Sequence, residues 1–164
     1  MSQTIHSVML NVGDNLLVLP APALVSVLNP QGLMPAQLEQ HPELAGAIEV
    51  DTQRVTVLYP EMLLGRPALP LHERCRIARI RPPGTRQSFG LLVRAYPLVL
   101  SLNERAFSAA EGELPPGVLA QAQVGQRQVL LPDLEQWSAQ ARSLAQLRIE
   151  SAQPATVGSA HQSP

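Results

Sequence analysis

The sequence lacks lysine and has few aromatic residues, and both absences limit what the protein binds. All twelve basic residues are arginine, the formal net charge is −1, and the chain has one Trp, two Tyr and two Phe. A phosphate backbone is held by an excess of basic charge, and unpaired bases stack on aromatic rings. The composition therefore argues against nucleic acid as a partner.

Cysteine and long apolar runs are also scarce. Cys75 is the single cysteine, so no disulfide forms within the chain. The first residues, MSQTIHSVML, lack the charged start and the apolar run of a signal peptide. No apolar segment reaches the length that crosses a membrane. We therefore expect a cytoplasmic protein.

What the sequence does contain is a series of short predicted strands. Hydrophobic residues make up 45% of the 164, which is enough for the core of one domain. The alternation of apolar and polar residues is clearest around the polar turn Asp51-Thr52-Gln53-Arg54. Hairpins joined by short turns favour small antiparallel barrels. The predicted strands are 5–12, 16–20, 47–50, 54–57, 75–81, 87–102 (broken at Pro97), 118–124 and 127–132.

Helical patterns are fewer. Two prolines open a short predicted helix over 21–29, and 60–65 has room for one turn. Asp133 is the predicted N-cap of a longer helix. Its apolar stripe, which we interpret as a core-packing face rather than a partner site, is Leu134, Trp137, Ala141 and Leu144. Residues 1–150 are thus predicted to form a single domain, and 151–164, rich in Ser, Ala, Gln and Pro, a disordered tail.

Candidates for catalysis or metal binding are weak. His72 and Cys75 have the types of a nucleophile and base or of two metal ligands, but no third residue completes either site. Glu49 and Asp51 share a strand face, where carboxylates are more often solvated than paired for acid–base chemistry. We therefore expect a non-enzymatic protein with no cofactor and no metal. One alternative stays open: a small β-barrel enzyme or ligand-binding protein with a pocket near His72, Cys75 and Arg76.

Five segments, in order along the chain, resemble the CheW-like family, the adaptor domains of bacterial chemosensory arrays. They are LLVLPAPALVSVL (16–28), HPELAGAIEV (41–50), RVTVLYPEMLLG (54–65), RIARIRPPGTRQSFGLLVRAYPLVLSL (76–102) and VLAQAQVGQRQVLLPDLEQW (118–137). The resemblance covers residues 5–147 and rests on the ordered series. It implies a mainly β fold of two small five-stranded SH3-like β-barrel subdomains around a shared core, with a short early helix and a C-terminal helix.

The resemblance also implies a function. Family members lack enzymatic activity and couple the cytoplasmic tip of methyl-accepting chemoreceptors to the regulatory domain of a CheA-like histidine kinase. Carried over by segment, the receptor-groove residues are Leu24, Val25 and Leu28, with core packing as the alternative reading. The kinase-facing residues at the hairpin tip are Asp51, Thr52 and Arg54.

Several polar positions depart from the family pattern. The family usually has Arg-Gly at the hairpin tip, where this chain has Asp51-Thr52, and it has Asp where this chain has Arg94. Reversed charge changes which partner surfaces are attracted, and loss of glycine is expected to change the turn. We therefore expect a divergent accessory adaptor with altered partner choice. The nearest type is the ChpC-like protein of twitching-motility systems, which act on type IV pili.

Overall fold

The structure, a computed structural model, describes residues 4–36, 38–103, 107–108 and 114–161, and the side chains of 4–36, 38–103 and 114–147. These residues form twelve β-strands and two α-helices, with 3-10 turns at Ala21–Ala23 and Pro30–Gly32. In chain order the strands are β1 Thr4–Val12, β2 Asn15–Pro20, β3 Leu24–Leu28, β4 Met34–Pro35, β5 Leu44–Val50, β6 Gln53–Leu58, β7 Arg76–Ile80, β8 Phe89–Val93, β9 Leu98–Asn103, β10 Phe107–Ser108, β11 Val118–Val124 and β12 Arg127–Pro132. The helices are α1 Pro60–Leu63 and α2 Leu134–His161. The prediction of a disordered tail over 151–164 stays a prediction, and residues 162–164 lie outside the described part of the chain.

The described strands form two six-stranded sheets. The first has the order β10-β11-β12-β2-β1-β9 and the second the order β3-β7-β8-β6-β5-β4. Neighbours are antiparallel except for β12 with β2 and β6 with β8, which are parallel. The second sheet is contiguous in sequence and is inserted between β2 and β9. The predicted mainly β fold is confirmed. Each sheet has six strands, whereas five were predicted for each subdomain.

The hairpin predictions agree closely with the observed strands. β11 and β12 pair across Gly125-Gln126, and β5 and β6 pair across Asp51-Thr52. The break at Pro97 separates β8 from β9, as expected for a residue that donates no ladder hydrogen bond.

The predicted early helix is wrong over 24–28. After one 3-10 turn the chain enters β3, which pairs antiparallel with β7 from Leu24↔Ile80 to Leu28↔Ile77. Val25 and Val27 are β-branched and pack well on a pleated surface, whereas the prolines before them specify only the first helical turn. Pairing with β7 therefore decides the conformation of this segment.

The buried hydrophobic side chains of the described residues form three clusters, and one of them is shared by both sheets. The shared cluster joins Leu10 and Leu17 of the first sheet to Phe89 and Leu91 of the second, and α2 covers it with Trp137, which is 1% exposed. Two smaller clusters lie within the individual sheets. The prediction that the α2 stripe packs against the core is therefore confirmed.

The strand alternation explains how one sheet serves two clusters. In β2, Leu17 and Leu19 belong to the shared core, whereas Leu16 and Val18 belong to the first sheet's own cluster. Successive side chains of a strand point to opposite faces, so a strand apolar at every position is buried on both faces.

A buried ion pair fixes the irregular connector 66–75 to the fold. Arg94, 6% exposed, donates through Nη2 to Glu61 Oε2 at 2.6 Å and to the Leu69 carbonyl at 2.7 Å. Its Nη1 donates to the Pro70 carbonyl at 2.7 Å, and its backbone N–H donates to the Asn11 carbonyl of β1 at 2.8 Å. This arginine therefore joins α1, the connector and both sheets.

Candidate functional site

The hairpin tip between β5 and β6 is exposed and adopts a left-handed backbone. Asp51 has φ 49° and Thr52 has φ 67°, and both side chains are exposed. Positive φ at both central residues is the pattern of a type I′ hairpin turn, which Asn and Gly favour. The chain therefore forms a glycine-like turn with a β-branched residue in it, and the expectation that this turn differs from the family's stays a prediction. Such a residue at positive φ is strained.

The strand β3 divides the three candidate receptor-groove residues. Leu24 packs against the shared core and Leu28 against the second sheet's own cluster, so both are half-buried. Val25 is 39% exposed. Core packing thus explains the burial of Leu24 and in part that of Leu28, whereas the side chain of Val25 is exposed to solvent.

One depression brings β3 and the hairpin tip together. We name it the tip depression: about 530 Å³, lined by Leu28, Asn29, Gly32, Met34, Ile48, Glu49, Val50 and Asp51. Leu28 and Asp51, predicted from different segments, both line it. Its apolar side chains are accompanied by two carboxylates and no basic residue.

Sequence patterns did not predict that Glu49 and Met34 line this depression, although they placed Glu49 on one strand face with Asp51. Glu49 shares a strand face with its cross-strand partner Arg54, yet their side chains form no ion pair within the described residues. Met34 lies on β4 and is the register partner of Ala47 on β5. No sequence pattern indicated so short a strand.

Arg54 lines a different groove, on the β6 side of the same hairpin, and Thr52 lines neither of these two cavities. The structure therefore groups the six predicted residues in three ways. Leu28 and Asp51 share the tip depression, Arg54 belongs to the neighbouring groove, and Leu24, Val25 and Thr52 lie outside both.

The alternative site at His72 and Cys75 is not assembled. His72 is exposed, and its Nδ1 accepts from the backbone N–H of Arg74 at 3.1 Å. Cys75 is buried, and its Sγ lies 3.5 Å from Nη1 of Arg94. Arg76 donates to the backbone carbonyls of Glu73 and Cys75. Each side chain thus has a structural partner, and none of the three side chains hydrogen-bonds to another of the three side chains.

A metal-binding cluster and a membrane-spanning helix are both missing from the described residues. No three His, Cys, Asp or Glu side chains there are grouped so that they could hold a metal ion. None of the helices in that part of the chain combines the length and the apolar character needed to span a bilayer.

Comparison with known proteins places this fold. No curated protein matches the sequence. Among solved structures, the chain is similar to the scaffolding protein TtCheW from Thermoanaerobacter tengcongensis, with a TM-score of 0.69 and 15% identity over 80% of this chain and 86% of that one. At that identity the likeness concerns the fold, including its two SH3-like subdomains. The family model of the CheW-like domain matches residues 6–142 of this chain. The chain therefore belongs to the CheW-like domain family.

Proposed function

We propose that this protein is a non-enzymatic adaptor that couples chemoreceptors to a histidine kinase in a bacterial chemosensory array. Family membership supports a scaffold role of this kind. The observation that supports it most is the exposed tip of the β5–β6 hairpin, where two residues in left-handed conformations stand beside an open depression. A strained, solvent-exposed turn on a rigid hairpin is typical of a recognition element.

The proposed partners are a CheA-like regulatory domain and the cytoplasmic tip of a methyl-accepting chemoreceptor. Asp51, Thr52 and Arg54 face the kinase in this proposal. On the receptor side, Val25 is the most accessible of the three residues carried over. Leu28 contributes through the tip depression, and Leu24 supports the strand from the core side. The protein would work in the cytoplasm, at the membrane-associated array.

We further propose that the protein is an accessory adaptor with altered partner choice, of the ChpC type found in twitching-motility systems that control type IV pili. Aspartate at the tip attracts a basic partner surface and repels an acidic one, the reverse of what arginine does. The carboxylates of Glu49 and Asp51 give the tip depression a consistent negative character.

A pull-down from the native cytoplasm tests both levels of the proposal. The tagged wild type is compared with Asp51→Arg, and Glu39→Arg, an exposed reversal outside the tip, is the matched control. We expect the wild type and the control to recover an identified chemoreceptor or histidine kinase. The tip variant should change that partner list while its free energy of unfolding stays within about 0.5 kcal/mol of wild type.

Two results would contradict the proposal. Recovery of neither partner class by the wild type would remove the adaptor function. Identical recovery by wild type and Asp51→Arg would remove the hairpin tip from the interface and leave the adaptor function in place.

A further inference from the structure

A second groove beside the hairpin is lined by arginine and contains no acidic side chain. We name it the basic groove: about 570 Å³, between β6, the segment before β8 and one face of α2. Its lining residues are Gln53, Arg54, Val55, Thr56, Arg86, Gln87, Ser88, Ser138, Ala141, Arg142, Ala145 and Gln146. The sequence alone did not bring Arg142 to Arg54 and Arg86, because the contact depends on how α2 packs on β6.

The three guanidinium groups of this groove are not neutralised within the described residues. Arg54, Arg86 and Arg142 are all exposed, and none forms an ion pair or a hydrogen bond with another described residue. Elsewhere in the fold, Arg66 pairs with Asp14 and Arg94 with Glu61. The groove therefore concentrates positive charge on a protein whose formal net charge is −1.

The floor of the groove carries two hydroxyl groups that lack partners among the described residues. Thr56 is 9% exposed and Ser138 is 5% exposed, and neither side chain hydrogen-bonds to a described residue. Neither oxygen is among the fully buried atoms that lack a partner, so both oxygens remain accessible from the groove. A ligand lying in the groove would supply acceptors for both.

Hydrogen bonds hold two walls of the groove in place. Arg79 of β7 donates through Nε to Ser88 at 2.8 Å and through Nη2 to Gln53 at 3.0 Å. The third wall is α2, whose Ser138, Ala141, Arg142 and Ala145 recur at helical spacing on one face. The walls that carry the three arginines are therefore held in place before a ligand binds, which lowers the entropic cost of binding.

We propose that the basic groove binds an acidic segment of a partner protein. Guanidinium groups pair with carboxylates through two parallel hydrogen bonds, and the hydroxyl and amide side chains can bond to a peptide backbone. Residues 138–146 extend about 12 Å along the helix axis, the reach of roughly four extended residues. The groove is thus too large for one small anion. The proposal shares only Arg54 with the hairpin-tip residues, and it does not depend on the adaptor function.

Fluorescence anisotropy with a labelled peptide of alternating Asp and Ala residues tests this site in the full-length protein. We expect Arg86→Glu and Arg142→Glu each to weaken binding about tenfold or more, since each replaces an attraction by a repulsion. Arg127→Glu, an exposed reversal on β12 outside the groove, is the matched control and should leave binding unchanged. Gln146→Glu adds a carboxylate to the groove without removing an arginine, and it should also weaken binding.

Four results would overturn the proposal. The first is binding of an Asn–Ala peptide as tight as that of the Asp–Ala peptide. The second is a loss of peptide affinity with Arg127→Glu equal to that of the groove variants. The third is full displacement of the labelled peptide by inorganic phosphate at constant ionic strength. The fourth is self-association of the protein that the same groove variants abolish, because the occupant would then be a second copy. Should either arginine variant fail to fold, the isosteric Gln146→Glu variant takes its place in the comparisons that use a groove variant.

Discussion

At the scale of single residues, the ion pair between Arg94 and Glu61 shows most clearly what the sequence hides. Arg94 ends an apolar strand and reads as a departure from the family pattern, while Glu61 lies 33 residues earlier in a one-turn helix. Nothing in either segment indicates that they meet. A buried charge needs a partner, but the sequence does not say which of the many carboxylates supplies it.

We predict that Arg94→Met destabilises the protein strongly. The substitution leaves the carboxylate of Glu61, 3% exposed, without its cation and removes the donors to the Leu69 and Pro70 carbonyls. The free energy of unfolding, measured in urea, should fall by about 3–5 kcal/mol. The double variant Glu61→Met/Arg94→Met should lose less unfolding free energy than Arg94→Met alone, because it leaves no unpaired buried charge. The matched control is Arg81→Met at an exposed arginine, and a loss below about 1 kcal/mol at Arg94 would contradict the pairing.

At the scale of elements, the hairpins were predictable and β3 and β4 were not. Period-two alternation and short polar turns are local signals. They specified β11 and β12 to the residue, β6 to within one residue at each end, and the end of β5 that leads into the turn. The segment 24–28 is apolar at four of its five positions, so its conformation is decided by the neighbouring strand β7 rather than by its own pattern. β3 and β4 help to build the tip depression, and because neither strand was predicted, the depression was only partly predicted.

The short strand β4 depends on a glycine facing it. Gly46 has φ 152°, and a Cβ there would collide with the backbone carbonyl of Met34. We predict that Gly46→Ala forces β4 away from β5 and costs about 2–4 kcal/mol in unfolding free energy. Gly84→Ala is the matched control, since that glycine has φ 80° but an added Cβ would meet no other atom within 4 Å. Equal losses at the two sites would mean that backbone strain alone, without the collision, explains the effect.

At the scale of the whole molecule, a shared core joins the two sheets. Residues of both sheets and of α2 belong to the same buried cluster, which Trp137 covers. The composition predicted a single domain, and the helical stripe predicted which face of α2 is buried. The pairing of the sheets across that core was supplied by resemblance, because no local pattern records it.

We therefore predict that the wild type unfolds in one step. Trp137 is the only tryptophan, so its fluorescence reports the shared core, while far-ultraviolet circular dichroism reports both sheets. The two transitions in urea should coincide. Trp137→Ala should lower the free energy of unfolding by about 3–5 kcal/mol, and its unfolding followed by circular dichroism should still show a single transition. Leu119→Ala, at a side chain 60% exposed, is the control with little effect, and two separate wild-type transitions would show that the sheets unfold independently.

The insertion of the second sheet within the first sets the order in which the parts are completed on the ribosome. The second sheet is whole once β8 has emerged, whereas β1 and β2 wait for β9 and β12, their outer neighbours. At ordinary elongation rates the β1–β2 hairpin keeps both edges unpaired for on the order of ten seconds. The β1–β2 hairpin is thus synthesised before the second sheet but paired at its edges after it, and a chaperone would have that interval to engage the hairpin.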